Sequence, residues 1–403
     1  MDLVLEAADS YFLDDFYAKV LPVSMKDSVP PSLVKNLKLN TLSLSSDNFL
    51  VDGLMNNATI NSGLSALNRL KQTDLNLFNN MNLWSKFNYL LETNGDYYGK
   101  QAYLFDFSES TLNSLLLRNN ILRQFLSLTV ITTLFGWALY FAIATFSYTF
   151  IFDKAVFNHP RYLKNQMSLE IALAVKAIPF MVMFTVPWFL MELHGWSSLY
   201  SKIDFAGHGI RDFLMEYFYF IMFTDCGIYL AHRWLHWPSV YKLLHKPHHK
   251  WLVTTPYASH SFHPVDGYFQ SLPYHIYPIM FPLHKISYLL LFTFVNIWTV
   301  MIHDGEYLAN DPVVNGAACH TVHHLYFNYN YGQFTTLWDR LGGTYREPDL
   351  ELFNKSLKKS TKTWEEQIAK MEAIKKVVEG DDDDRVYGTE EKYNKKSKKS
   401  QKN

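Results

Sequence analysis

Thirteen of the sixteen histidines lie between His232 and His324. Three boxes concentrate them: His232-Arg-Trp-Leu-His236, His245-Lys-Pro-His248-His249 and His320-Thr-Val-His323-His324. The spacings are i, i+4 and i, i+3, i+4, which on a helix place imidazoles on one face, one turn apart. Converging faces of this kind make a multi-histidine metal cage. His260, His263 and His303 fall between the second and third boxes, and His275 and His284 sit there in a hydrophobic section. A lone histidine, or one HxxxH pair, is a weak signal. Two HxxHH boxes and one HxxxH beside hydrophobic spans are hard to reach by chance. Neutral imidazole suits iron, zinc, copper and nickel. The chain has no CxxC and no HExxH, so zinc-finger and zincin readings lose support.

The hydrophobic spans set the second constraint. Phe125 to Phe152 carries no charged residue and is long enough to cross a bilayer with tilt. Ile171 to Met191 follows, interrupted by Lys176, Pro179 and Pro187; proline is tolerated in membrane helices. Phe213 to Ala231 is the third span, with Glu216 and Asp225 inside it, and the first box comes at once after it. A helix from Phe213 to His236 would run roughly 36 Å. That exceeds the hydrocarbon core, so the box emerges near the membrane surface. Tyr268 to Leu283 and Ile286 to Ile302 read as a hairpin that enters and returns, with His284-Lys285 at its tip. The hairpin puts boxes two and three on the same face of the membrane, with His303 ending the returning helix. His275 and His284 then line or cap the hairpin.

The expected fold is an all-α integral membrane protein, with several transmembrane helices and a cytosolic histidine-rich dimetal cap. Residues 1–118 form a polar N-terminal region, 119–212 spans and loops, 213–346 the histidine-box domain, and 347–403 a charged, disordered tail. The tail carries Asp381 to Asp384 in a row and ends in lysines that do not make a strict dilysine signal. Local helices are expected around 3–20 and 110–123. Met1 to Leu21 mixes acidic and basic residues into its apolar ones and is not a signal peptide. Asn57-Ala-Thr59 is a glycosylation sequon, informative only in a lumenal segment.

Composition adds three limits. Aromatic residues reach 16%, as expected where rings sit at bilayer interfaces. A net charge of -1 offers nothing to nucleic acid. Two cysteines, Cys226 and Cys319, exclude a disulfide framework and read as small buried residues.

Soluble bundle di-iron enzymes use carboxylates with a Glu-x-x-His motif, an arrangement this chain lacks. The ligands must come mainly from imidazole. A pair of metals held by about ten histidines has open positions for oxygen, and iron held so can attack an unactivated C–H bond. A membrane location fits an apolar substrate entering from the bilayer. No GxGxxG follows a strand and no haem module is fused, so electrons must come from a separate carrier.

The boxes and spans resemble the fatty acid hydroxylase and sterol desaturase superfamily. His245-Lys-Pro-His-His-Lys-Trp, Ser259-His-Ser-Phe-His-Pro-Val-Asp-Gly267, Phe269-Gln-Ser-Leu-Pro-Tyr-His275 and His320-Thr-Val-His-His-Leu-Tyr-Phe-Asn-Tyr-Asn-Tyr-Gly332 are similar to the fungal sterol C-5 desaturases. The resemblance is strong from Phe213 to Arg346 and looser elsewhere. It implies a Δ7-sterol 5(6)-desaturase of the endoplasmic reticulum membrane, converting episterol to ergosta-5,7,24(28)-trienol in ergosterol synthesis. It implies two non-haem iron ions, O2, and electrons from NAD(P)H through cytochrome b5 and its reductase. Carried over by position, the metal ligands are His232, His236, His245, His248, His249, His320, His323 and His324, joined by His263 and His303. His260 stands beside them as a ligand or as a neighbour that orients one.

Two other readings are C-4 methylsterol monooxygenase, or another membrane lipid hydroxylase, and a histidine-rich metal-binding or transport protein. Transport fits poorly, because the histidines cluster at membrane exits and not along a spanning path. With all boxes in the cytosol and three full spans before the hairpin, the N-terminus falls in the lumen; if 171–191 only re-enters, it falls in the cytosol. In the first arrangement the loop 153–170, with Lys154, Arg161 and Lys164, is cytosolic, as the positive-inside tendency prefers.

Overall fold

The computed structural model describes residues 1–40, 109–200, 209–307, 311–349 and most of 353–388. The sequon at Asn57 and His208 lie outside the described residues. The chain opens with α1 (Asp2–Ala8), a π-helical turn at Asp9–Leu13 and α2 (Asp14–Val20). Four long helices follow in order: α3 (Ile121–Phe150), α4 (Gln166–Leu193), α5 (Gly209–Leu235) and, after α6 (Pro264–Met280), α7 (Lys285–His303). α3, α4, α5 and α7 are each long and apolar enough to cross a membrane. Two further helices follow, α8 (Ala317–Tyr326) and α9 (Thr361–Glu379).

The long helices are apolar on their outward faces. Leu134, Phe135, Phe146 and Phe150 of α3 are exposed, as are Phe180, Met183 and Phe184 of α4. Such faces are stable against lipid, where the helix satisfies its own backbone hydrogen bonds. The start of α3 is fixed by Asn120, whose Oδ1 accepts from the Leu122 amide at 3.0 Å and the Arg123 amide at 3.4 Å. This cap corrects the expectation of one helix over 110–123. Glu109–Leu112 is a separate short helix, and the capped Asn120 stands between the two.

The chain divides into two compact units. The first holds Met1–Thr132, Thr185–Glu216 and Pro278–Tyr288. Two of its buried acids are paired: Asp14 with Arg118 at 2.5 Å and with Arg123 at 2.5 Å, and Asp9 with Arg123 at 2.6 Å. A two-stranded parallel pair, β1 (Leu199–Tyr200) with β2 (Leu283–His284), closes the turn into α7. His284 Nδ1 accepts from the Ile286 amide at 3.3 Å, the capping role its place at the hairpin tip implied.

The second unit holds Thr133–Phe184, Tyr217–Tyr277 and Leu289–Asn403, and with them every histidine from His232 to His324 except His284. Here α5 and α6 approach closely. A Cβ at Gly227 would lie 2.6 Å from Pro273 Cγ, so only glycine permits the contact. Beneath the boxes a core joins Trp251 and Leu252, Val322, Leu325 and Phe327, and Met371 of α9.

α9 corrects the reading of 347–403 as a disordered tail. Ser360 Oγ caps its start by accepting from the Thr363 amide, and Gly380, at φ +88°, ends it. Its buried stripe is Thr363, Gln367, Met371, Lys375 and Glu379, spaced four residues apart. Met371 is its one apolar member, flanked at intervals of three and four residues by the half-buried Trp364, Ile368, Ile374 and Val378; the many charges between them made the segment read as solvated.

Candidate metal centre

Each box arrives on a different element. His232 rides the last turn of α5, and His236 follows just past its end. The second box begins on a π-helical turn, Tyr241–His245, and continues on a short helix, Lys246–His249. Single π-turns are frequent at functional sites because they re-aim side chains within a helical path. His303 closes α7, and His320, His323 and His324 lie on α8.

These elements bring nine of the ten expected ligands into two groups. His232, His236, His245, His249 and His323 form one, and His248, His303, His320 and His324 the other. Within each group one nitrogen from every ring lies within 4.8 Å of those from the others, and all nine side chains are buried. His263 joins neither group; its Nδ1 accepts from the Val265 amide at 3.3 Å, at the start of α6. His260 is also outside them. Its Nε2 meets Asn296 Oδ1 at 3.0 Å and its Nδ1 meets Ser259 Oγ at 3.1 Å. His159 and His194 lie apart from both groups.

The hydrogen bonds of the rings test whether a cation fits. His232 Nδ1 donates to the Tyr331 carbonyl at 3.0 Å, His248 Nδ1 to Ser261 at 3.2 Å, His303 Nδ1 to Thr299 at 2.6 Å, and His323 Nδ1 to Tyr329 at 2.8 Å. His245 Nδ1 donates to Asp266 Oδ2 at 2.7 Å. A ring that donates from Nδ1 and is neutral presents a lone pair at Nε2. Yet His232 Nε2 faces His245 Nε2 at 3.1 Å, and His248 Nε2 faces His303 Nε2 at 3.4 Å. Lone pairs aimed at one another repel unless a cation lies between them. For metal–nitrogen bonds of about 2.1 Å, neighbouring ligands sit about 3.0 Å apart at right angles and about 3.4 Å at the tetrahedral angle. The other Nε2 pairs, 3.0 Å for His249–His323, 2.9 Å for His303–His320 and 3.1 Å for His320–His324, fall in the same range. Both ring nitrogens of His236 are buried with no hydrogen-bond partner, as are Nδ1 of His249 and Nδ1 of His324. The donor set therefore fits two metal ions, one offered five imidazoles and the other four.

Burial enforces the neutral state. It pushes His248 down to about 4, and His236, His249, His320, His323 and His324 well below the ordinary range. Neighbouring imidazoles push in the same direction. The rings thus stay unprotonated and able to bind metal at neutral pH.

The supports of these ligands are residues that box spacing does not reveal. Asp225, the acid inside α5, accepts from the amides of Gln333 (2.9 Å), Phe334 (2.7 Å) and Thr335 (3.0 Å). It pins the loop whose Tyr329 and Tyr331 carbonyls hold His323 and His232. Phe327 turns the chain into that loop at φ +61°, and Asn330 does so at φ +56°. The Phe327 ring is fully buried and stacks on His249 at 5.2 Å, which offsets the cost of its backbone. Arg385, far beyond the boxes, donates to the His249 carbonyl at 2.8 Å. Of these, only Asp266 and Asp225 had a signal in sequence: an acid inside the second-box flank and an acid inside a span.

Residues 217–344 match the family described as fatty acid hydroxylase. Over 96% of its length the chain is 58% identical to the Delta(7)-sterol 5(6)-desaturase of Saccharomyces cerevisiae, covering 97% of that protein. It is 57% identical to the Delta(7)-sterol 5(6)-desaturase of Candida glabrata, over 97% of this chain and 99% of that one. The corresponding protein of Aspergillus fumigatus is 45% identical over 97% of this chain and 99% of its own length. No solved structure matches the chain. The four spans make it a multi-pass membrane protein. Whole-length identity and the all-histidine donor set agree that the chain belongs to the Δ7-sterol 5(6)-desaturase family of the fatty acid hydroxylase and sterol desaturase superfamily.

Proposed function

We propose that the chain is a Δ7-sterol 5(6)-desaturase, which introduces the C5–C6 double bond of ergosterol precursors such as episterol. The observation that carries the reading is the pair of buried all-imidazole groups at the ends of membrane helices, in a chain so similar over its full length to proteins bearing that name. The metals are two non-haem iron ions, held by His232, His236, His245, His249 and His323, and by His248, His303, His320 and His324. Iron held in this way supplies the O2 chemistry that removes hydrogen from an unactivated carbon.

The chain's own residues do the rest. Backbone carbonyls and Asp266 hold five rings by Nδ1, so that each Nε2 lone pair points inward without reorganising. Burial of all nine imidazoles keeps water and protons from competing for those lone pairs. The overall balance is fixed: the sterol loses two hydrogens, O2 leaves as two waters, and two electrons and two protons come from outside. We assign the electrons to cytochrome b5, reduced by its NAD(P)H-dependent reductase. The chain then resides in the endoplasmic reticulum membrane with the histidines toward the cytosol, where that carrier works.

The test is reconstitution. Purified protein with cytochrome b5, its reductase, NADH and O2 should turn a Δ7-sterol into a Δ5,7-diene, read by the diene's ultraviolet absorption. A stable ring alcohol, or a C-4 oxidised sterol without the diene, would replace desaturation with hydroxylation.

A further inference from the structure

The helical stretch that carries the second box has two working faces. Tyr241, His245 and His249 recur every fourth residue and are buried. One residue on, about 100° around the helix, Lys242, Lys246 and Lys250 recur at the same interval. Lys242 is exposed and the other two half-buried. With the exposed Lys176 of α4 they line an open groove. The groove therefore lies within one helix width of the ligands, about 10–12 Å.

Two residues in the groove wall lead to the ligands themselves. Trp251 Nε1 donates at 3.1 Å to the Ser261 carbonyl, which also accepts from His248 Nδ1. Arg385, its guanidinium buried, donates to the carbonyl of His249. One path reaches the four-imidazole group and the other the five-imidazole group. The acid in the groove is Asp384, 3.9 Å from both Lys246 and Lys250. Lys176 and Lys242 have no ionic partner among the described residues, so the rim keeps an excess of positive charge.

We infer that this groove is the docking site for the acidic face of the one-electron carrier protein that reduces the metal pair. The inference rests on the proposed desaturation, which needs two electrons from outside. Each docking oxidises one carrier by one electron, and two dockings serve each sterol. Charge at the rim draws the carrier in and sets its orientation. Trp251 and Arg385 then place it one hydrogen-bonded residue away from each ligand group. An anionic lipid would find the lysines too, but nothing in its binding calls for those two connections.

The experiment is diene formation against the concentration of reduced cytochrome b5, for the intact enzyme, Lys242→Glu, and Lys242→Glu with Lys250→Glu. Metal content is measured on each. The double variant should need about tenfold more carrier for half-maximal rate, and Lys242→Glu an intermediate amount. Both should keep their metal and lose the fall in rate that the intact enzyme shows with added salt. Lys242→Arg with Lys250→Arg should behave as the intact enzyme. One turnover after chemical reduction by dithionite should be the same in all of them. Unchanged carrier dependence and salt dependence in both acidic variants overturns the inference while leaving desaturation standing. So does a changed response to phosphatidylserine in the vesicles with an unchanged response to carrier, which would make the groove a lipid site. Absence of diene from the intact enzyme with every electron source defeats desaturation itself.

Discussion

Arg385 donates a hydrogen bond to the backbone carbonyl of His249 at 2.8 Å, tying the last described segment of the chain to the end of the second histidine box. The same guanidinium grips Glu379 through both carboxylate oxygens, at 2.7 and 2.9 Å. Glu379 Oε1 accepts from the Tyr241 hydroxyl at 2.8 Å. The Tyr241 ring lies 5.4 Å from His236 and 5.7 Å from His249. α9 and the residues after it thus hold the outer side of the metal centre.

Removing that support should loosen the centre. Arg385→Ala strands the buried Glu379 carboxylate, and breaking one partner of a buried ion pair costs about 3–5 kcal/mol. Lower metal content and a lower melting temperature are expected in detergent, with Arg385→Lys in between. Full metal content and an intact melting temperature in Arg385→Ala would show that the contact is incidental.

Asp266 should tune one ligand. Its carboxylate orients His245 and raises the basicity of Nε2. Asp266→Asn keeps the size but weakens that hydrogen bond, and losses of about 10–100-fold in metal affinity or activity follow such changes. Competition with a chelator measures the affinity. A variant as slow to surrender metal as the parent would remove Asp266 from the support of the centre.

Acid should destabilise the metal-free protein in a defined window. His248 is held at about 4 when folded, and His236, His249, His320, His323 and His324 are held well below the ordinary range by burial and by neighbouring imidazoles. An unfolded histidine titrates near 6.5. As pH falls below that value the unfolded chain takes up protons that the folded chain refuses, so folding weakens. Stability should be level above about pH 6.5 and fall progressively toward pH 4. A melting temperature that stays flat between those values would contradict buried neutral rings.

Much of this was legible in sequence because two strong periodic signals coincide. Long apolar runs mark α3, α4, α5 and α7, and i, i+3, i+4 histidines mark the ligand faces. His263 shows the limit of such reading. It has the right residue type in the right region, yet it precedes Pro264 and turns its Nδ1 to the Val265 amide, serving the start of α6. Three long-range features were out of reach. The carbonyls of Tyr329 and Tyr331 are backbone atoms and carry no residue signature. Arg385 meets His249 across 136 positions. α9 buries a stripe of mostly polar residues, so its composition reads as solvated.

The central claim is that both imidazole groups hold a metal and that desaturation needs both. Iron per chain and Δ5,7-diene formation should be measured on the same purified samples of the parent, His248→Ala, His323→Ala and His194→Ala. His248→Ala removes a ligand from the four-imidazole group and His323→Ala one from the five-imidazole group. The account expects about two iron ions and active diene formation in the parent and in His194→Ala, whose ring lies outside both groups. In the two ligand variants it expects membrane-inserted protein with less iron and no diene. Near-parental diene formation by both ligand variants would contradict it.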